Sequence, residues 1–227
     1  MEEPLTWHGV LDPSLWSESF VADGHRIADA AKAGDWTTVL EMLRKDPHLG
    51  VNRWRPSSPK WFTILHQAAW HGASASVVSE LLGHGALRSL RDGKGRTPQD
   101  VAVERGHAFA LGQMLAPPQS PLDDQRVAIL DQRLADVIDG RIREGQLDRR
   151  HSGGDLRSAL RYPPVGMMHE APGQSVWFAV PGMYGGFRIT LRQGYLESSS
   201  WCRVVGGSGQ LHVITHEGVV LADEGFV

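Results

Sequence analysis

Residues 63–72 read Thr63-Ile64-Leu65-His66-Gln67-Ala68-Ala69-Trp70-His71-Gly72 and form the clearest copy of a repeat. Its pattern recurs 34 residues later, from Thr97 to His107. An earlier copy is recognisable as well, since residues 30–35 align with residues 68–73 at a spacing of 38. Recurrence at this period is typical of stacked helical pairs, which are binding surfaces far more often than enzymes.

Each copy predicts a short apolar helix that ends at a glycine, followed by a second helix. The second helices have an apolar stripe at helical spacing. The stripe residues are Val39, Leu40 and Leu43 in the first copy and Val77, Val78, Leu81 and Leu82 in the second. The additional residues of the first spacing fall between Asn52 and Trp61, where Pro56 and Pro59 exclude a helix interior. We therefore predict a loop there.

These residues resemble the ankyrin repeat, whose pattern runs from T-P-L-H-x-A-A-x-x-G-H to V-V-x-x-L-L-x-x-G-A. The match is best from Thr63 to Ala86, whereas Asp100 replaces the histidine of the third copy and Pro117 ends that copy early. The resemblance implies a short helical stack over about residues 25–116. It also implies that Thr63 and His66 hydrogen-bond the turns of neighbouring units, and it implies no particular partner.

Residues 1–24 precede the repeats and contain several large apolar side chains, with a helix start near Asp12-Pro13. These apolar residues are Trp7, Leu11, Leu15, Trp16 and Phe20. We expect this N-terminal segment to cap the exposed face of the first repeat.

The chain changes character after Pro121. Residues 122–148 have apolar positions at three- and four-residue steps and predict one long amphipathic helix. Residues from about 175 to 222 alternate between short strand patterns and glycine-containing turns, which indicates an antiparallel meander. The sequence therefore predicts an α+β protein: a short ankyrin-repeat helical stack, then a domain at 122–227 made of a long helix and an antiparallel β-meander. This last region resembles a β-rich module of uncharacterised bacterial proteins and implies no activity.

Composition excludes several classes of function. The net charge of −3 gives no general basic field, so we predict no nucleic-acid partner. No run of 18 apolar residues is present, so we expect no membrane span. The single cysteine, Cys202, excludes an intrachain disulfide framework, and the N-terminus lacks an export signal; both favour a cytoplasmic protein. Only four of the 23 basic residues are lysines, a bias that we interpret as the codon usage of a GC-rich bacterium.

Motifs for catalysis or metal binding are weak. The run Gly206-Gly207-Ser208-Gly209 lacks the Lys-Ser/Thr ending of a phosphate-binding loop and predicts a hairpin turn. His212 and His216 would lie about 13 Å apart on one strand, too far to share an ion. Cys202 is interpreted as a buried, inert residue. We therefore predict no cofactor and no metal.

The favoured hypothesis is a cytoplasmic protein–protein interaction module. Tryptophan and arginine together on loops are typical of interface hot spots. The region around the proline-containing loop holds such residues, and we predict that they contact a protein partner: Arg53, Trp54, Arg55, Trp61 and Trp70.

The alternative hypothesis is a small cofactor-independent enzyme or small-molecule binder, with a pocket in the C-terminal β domain or at its interface with the repeats. If the sheet curls, its polar face becomes a pocket for an anionic ligand, and we predict the ligand-binding residues to be Tyr184, Arg188, Arg203 and His212. The catalytic candidates are His169, Glu170 and His212. If the sheet is flat, the same residues form a solvated face.

Overall fold

A computed structural model describes residues 2–147, 156–203 and 207–226. The chain forms two compact units, a helical unit of residues 12–119 and a sheet unit of residues 1–11 with 120–227. Helices come first and a β-meander follows, so the predicted α+β class is confirmed. None of the helices in the described part of the chain has the length and apolar character that a membrane span requires.

Every residue from 12 to 119 is described, and six α-helices form three consecutive pairs in this helical unit. The helices are α1 (Glu18–Ala33), α2 (Trp36–Lys45), α3 (Ile64–His71), α4 (Ala75–Gly83), α5 (Pro98–Glu104) and α6 (Phe109–Met114). Helix α3 contacts both α1 and α5, and α4 contacts both α2 and α6. The first helices of the pairs therefore form one layer and the second helices another. Ile27, Leu65, Leu81 and Val101 are buried in the core between them.

Local sequence explains where these helices begin and end. Ser17, Asp35, Thr63, Ser74 and Thr97 each cap a helix N-terminus by accepting a hydrogen bond from a backbone N–H three residues later. Helices α1 and α3 end at glycines in the left-handed conformation, with φ of 74° at Gly34 and 63° at Gly72. Glycine adopts this conformation without the steric cost that a Cβ imposes.

Three histidines join successive helical pairs. The Nδ1 atom of His66 accepts from the backbone N–H of Thr63, and its Nε2–H donates to the carbonyl of Arg96 at 3.0 Å. His71 donates to the carbonyl of Lys32 at 2.9 Å, and His107 donates to that of Trp70 at 3.0 Å. His66 therefore has the scaffold role that the sequence predicts.

The sheet unit contains one long helix and six strands in its described part. Helix α7 spans Asp124–Glu144, and the strands are β1 (Leu5–Thr6), β2 (Ser175–Val180), β3 (Gly185–Leu191), β4 (Leu196–Cys202), β5 (Ser208–Ile214) and β6 (Val219–Phe226). Their spatial order follows the chain; β1 is parallel to β2, and every other pair is antiparallel. Helix α7 is shorter than the predicted helix of residues 122–148, because it is capped at Gly145 and Gln146 follows with a φ of 51°. Residue 148 and part of the predicted Gly206–Gly209 turn lie outside the described residues.

The N-terminal segment differs from its prediction. Leu5 and Thr6 pair with Val176 and Trp177 of β2, and the indole N–H of Trp7 donates to the carbonyl of Arg161 at 2.7 Å. Residues up to Leu11 therefore belong to the sheet unit, and only the later part of the 1–24 segment adjoins the repeats. A two-residue strand is too short to show the alternation from which strands are predicted.

Candidate functional site

A groove with a volume of about 700 Å³ opens on the helical unit. Its walls come from α1, the proline-containing loop of residues 53–60, α3 and the turn of residues 92–96. All of its lining residues lie within the one helical unit, so its geometry is set by the stacking of the first two pairs and the turn that precedes the third.

Apolar and aromatic side chains form much of the groove lining. Trp54, Phe62, Ile64 and Trp70 contribute to it, and Trp70 keeps 41% of its surface exposed. The Trp70 ring is nevertheless held in place, because the Phe62 ring meets it edge-on at 6.4 Å and the Arg105 guanidinium lies 4.3 Å from its centroid. A large aromatic surface is thus exposed and already ordered, which lowers the entropic cost of using it for binding.

Arg53 fastens the proline-containing loop to α1. Its guanidinium donates to the carbonyls of Leu49 at 3.3 Å and Phe20 at 3.2 Å, and it lies 4.2 Å from the centroid of the Phe20 ring. Burial lowers the pKa of Arg53 to about 10, against the opposing effect of Asp23 and Asp46, so the group stays charged at neutral pH. A Cβ at Gly24 would lie 2.2 Å from Nη2 of Arg53, so glycine at that position leaves space for the guanidinium.

The five predicted contact residues have different environments. Arg53 and Trp54 are buried, with 6% and 7% of their surfaces exposed, so they offer little surface for the partner contact that the sequence predicts. The loop folds back onto its own unit, and Trp54 forms a β-bridge with Thr63. Arg55 lines the groove and pairs with Asp29, and Trp70 lines it with an exposed ring. Trp61 is outside the groove lining.

Lysines at the groove are the feature that sequence reasoning missed. Lys32, Lys60 and Lys94 line it, so three of the four lysines of the chain lie in one cavity, and all three are exposed. None of their ammonium groups forms an ion pair with a carboxylate among the described residues. The sequence signal was the rarity of lysine, which we interpreted as codon usage alone.

The groove lining contains one carboxylate, that of Asp92, among its described residues. Its Oδ1 accepts from the backbone N–H groups of Lys94 and Arg96, and its Oδ2 accepts from the Arg96 side chain at 2.7 Å. Burial alone would raise the pKa of Asp92, but the hydrogen bonds from Arg96 and Lys94 outweigh it and the pKa is lowered. Asp92 is therefore ionised and neutralised by Arg96, and it leaves the lysines without a counterion.

In the sheet unit, the predicted ligand-binding residues do not come together. His212 pairs with Ser198, which pairs with the buried Ile189, so all three side chains share the core-facing side of the sheet. Arg188 pairs with Ser199 on the opposite face. The prediction that His212 and Arg188 share one face is wrong. Which side chains of β5 face the core depends on the length of the connection before it. A register shift of one residue would move every side chain of the strand to the opposite face of the sheet.

Arg188 lies instead in a small polar pocket of about 300 Å³. Arg192 and Glu197 in that pocket pair with each other at 2.7 Å, which neutralises both. The other predicted residues are outside its lining: Tyr184, Arg203, His212, His169 and Glu170. Tyr184 is 77% exposed in the turn between β2 and β3.

A buried polar cluster lies between α7 and the sheet. The Arg141 side chain donates to Ser200 Oγ at 3.0 Å and to the carbonyl of Ser208 at 3.1 Å, and it pairs with Glu144 at 3.0 Å. Arg141 is only 5% exposed, so these contacts satisfy a buried cation. Cys202 is also buried, as predicted.

Two polar atoms near this cluster lack hydrogen-bond partners in the described part of the chain, namely Oγ of Ser198 and Nδ1 of His212. Burial, followed by the positive charge of Arg141, lowers the pKa of His212, while Glu144 and Glu224 oppose that effect. His212 is thus kept neutral near neutral pH.

Comparison with known families gives no further guidance, because no family model matches the chain. Within the described residues, no three or more His, Cys, Asp or Glu side chains are grouped so that they could hold a metal ion.

Proposed function

We propose that this protein is an interaction module of the ankyrin-repeat type, and that the groove of its helical unit binds a segment of a partner protein. The observation that carries the proposal is the exposed, pre-ordered ring of Trp70 in a groove of about 700 Å³. Hot spots of binding are enriched in tryptophan, and stacked repeats bind partners on concave surfaces.

The chemistry of the lining supports binding rather than catalysis. Apart from its three lysines, the lining has three groups of the types that act as base or nucleophile in enzymes: His71, Ser58 and Asp92. His71 donates to the carbonyl of Lys32, Ser58 accepts from the backbone N–H of Lys60, and Asp92 pairs with Arg96. These three groups are therefore engaged in contacts that maintain the local structure. The exposed aromatic and cationic groups of the lining remain available to a ligand.

A location in the cytoplasm is part of the same proposal. The chain has a single cysteine, and it is buried, whereas proteins of oxidising compartments commonly use disulfides.

The test uses the full chain as bait in a selection from a random peptide library, followed by fluorescence anisotropy with the enriched peptides. We expect Trp70→Ala to weaken binding by about tenfold or more, as truncation of an aromatic hot spot does. The matched control is Phe109→Ala, since Phe109 is 81% exposed in the same unit but outside the groove lining. Peptides that bind Trp70→Ala as tightly as the unchanged protein would refute the proposed site.

A further inference from the structure

We infer that the partner segment is acidic, with aspartate or glutamate side chains on either side of an apolar or aromatic one. This inference rests on the proposed function and adds the chemistry of the ligand. It is drawn from the charges around the groove and from the character of its lining.

The distribution of lysine is the first observation. The chain uses arginine for most of its positive charge, yet three of its four lysines line this groove. The fourth, Lys45, lies near the end of α2 and outside the groove lining. Codon usage acts along the whole gene, so it does not account for lysines that are separated in sequence but meet in one cavity.

The second observation is that these charges are uncompensated. The backbone N–H of Gly93 donates to the carbonyl of Lys60 at 2.7 Å, so the segments that carry Lys60 and Lys94 touch. Like charges on touching segments repel each other, and an anionic ligand would remove that repulsion. Arg55 and Arg96 are different, because they already pair with Asp29 and Asp92.

The lining explains why the ligand also needs an apolar side chain. Trp54, Phe62, Ile64 and Trp70 present apolar surface to the groove, while the three lysines are exposed. Interfaces commonly combine an apolar centre with a charged rim, where complementary charge speeds association and selects the partner. An acidic segment with a central apolar residue matches both parts.

A single-stranded nucleic acid is the competing ligand, because bases stack on exposed aromatic rings and phosphates bind positive charge. The charge balance favours the peptide. The whole chain carries a net charge of −3, which does not attract a polyanion. The groove has three lysines without ion pairs among its described residues, whereas grooves that bind single strands follow the phosphate backbone with a continuous run of cations.

The experiment compares the peptides selected by the unchanged full chain with those selected by the triple variant Lys32→Gln, Lys60→Gln, Lys94→Gln. We expect the unchanged chain to enrich acidic peptides that contain an aromatic or large apolar residue. The most enriched peptide, labelled with fluorescein, should bind the triple variant about tenfold more weakly, since exposed charges contribute modestly each. Its counterpart with Gln for each Glu and Asn for each Asp should show a similar loss against the unchanged chain.

Two controls separate charge from structure. Lys45→Gln removes a lysine that is also exposed but lies outside the groove, and it should leave binding unchanged. The triple Lys→Arg variant keeps the charges and should retain most of the affinity. Thermal unfolding of each variant confirms that the fold is maintained.

The outcomes distinguish this inference from the proposed function. Enrichment of neutral or basic peptides whose binding is lost in Trp70→Ala would overturn the acidic ligand and leave the interaction site standing. Tighter binding of a labelled single-stranded RNA than of the acidic peptide would likewise overturn it. Failure to recover any peptide that depends on Trp70 would overturn both.

Discussion

The helical unit and the sheet unit differ in where their polar side chains find partners. In the helical unit the capping residues bond to groups three positions away, as Thr63 does with the backbone N–H of His66, and the three histidines reach 30 to 39 residues, about one repeat. In the sheet unit Arg141 bonds to Ser200 and Ser208, which are 59 and 67 residues away in sequence. Contacts within a repeat or between neighbouring repeats recur with the sequence pattern, whereas the contacts of Arg141 depend on strand register.

The two units also use positive charge differently. Arg141 is buried and its hydrogen bonds are satisfied within its own unit, so it belongs to the scaffold. The ammonium groups of Lys32, Lys60 and Lys94 are exposed and lack ion pairs among the described residues. Positive charge is therefore engaged in the fold at Arg141, whereas at the three lysines it stays available to the proposed ligand.

The largest effect should come from breaking the distant network. Arg141→Met removes the donor to the buried hydroxyl of Ser200 and to the carbonyl of Ser208. We expect the free energy of unfolding, measured by urea denaturation, to fall by about 3 kcal/mol. The matched control is Arg143→Met on the exposed side of the same helix, which should change it by less than about 0.5 kcal/mol. Equal effects of the two substitutions would show that the Arg141 contacts do not stabilise the fold.

The capping network of the helical unit should be somewhat less costly to break. His66→Ala removes the side-chain half of the capping box, in which Nδ1 accepts from the Thr63 backbone N–H, and the hydrogen bond to Arg96, while the backbone N–H of residue 66 can still donate to Thr63. We expect a loss of about 2 kcal/mol in the same measurement, because a fully buried polar link is lost and a small cavity remains. His48 is exposed, so His48→Ala serves as the control and should have little effect. A His66 variant as stable as the unchanged protein would contradict the scaffold role.

Two serines on one strand give the sharpest internal comparison. Ser200 accepts from Arg141, whereas Ser198 has a buried hydroxyl without a partner in the described part of the chain. We expect Ser200→Ala to cost about 1 kcal/mol and Ser198→Ala to be neutral or stabilising, since removing an unsatisfied hydroxyl relieves a desolvation cost. Urea denaturation of both variants measures the two changes in the free energy of unfolding. A larger loss from Ser198→Ala would mean that this hydroxyl has a partner in solution.

The smallest effect concerns pH. The pKa of Asp92 is lowered from its ordinary value of 3.8 in the folded protein, so its contribution to stability is present above that pH and is lost as pH falls through the folded pKa. We expect the unchanged protein to lose more stability than Asp92→Asn between about pH 5 and pH 3. Thermal unfolding across this range measures the difference. Parallel curves would contradict the ion pair with Arg96.

The sequence predicted the parts of the fold that local rules determine. The α+β class, the repeat helices, the long helix and the meander all follow from the 3.6-residue and two-residue periods. The two-residue strand β1 and the face of His212 were not predictable, because both depend on pairing between residues that are far apart in the chain.

The candidate site was predictable only in part. Trp70 and Arg55 were identified from their residue types and do line the groove. The burial of Arg53 and Trp54 could not be foreseen, since it depends on the loop folding back so that Arg53 reaches Phe20. The three lysines are far apart in sequence and become neighbours of one groove only when the helices stack.

Hydrogen–deuterium exchange with the most enriched peptide locates the bound segment on the protein. We expect the peptide to slow exchange in α1, in residues 53–71 and in the turn of residues 92–96, where the groove lining lies. This protection should be lost in Trp70→Ala and kept in Phe109→Ala. Protection confined to α6 or to the sheet unit, with none around Trp70, would contradict the claim that the groove is the binding site.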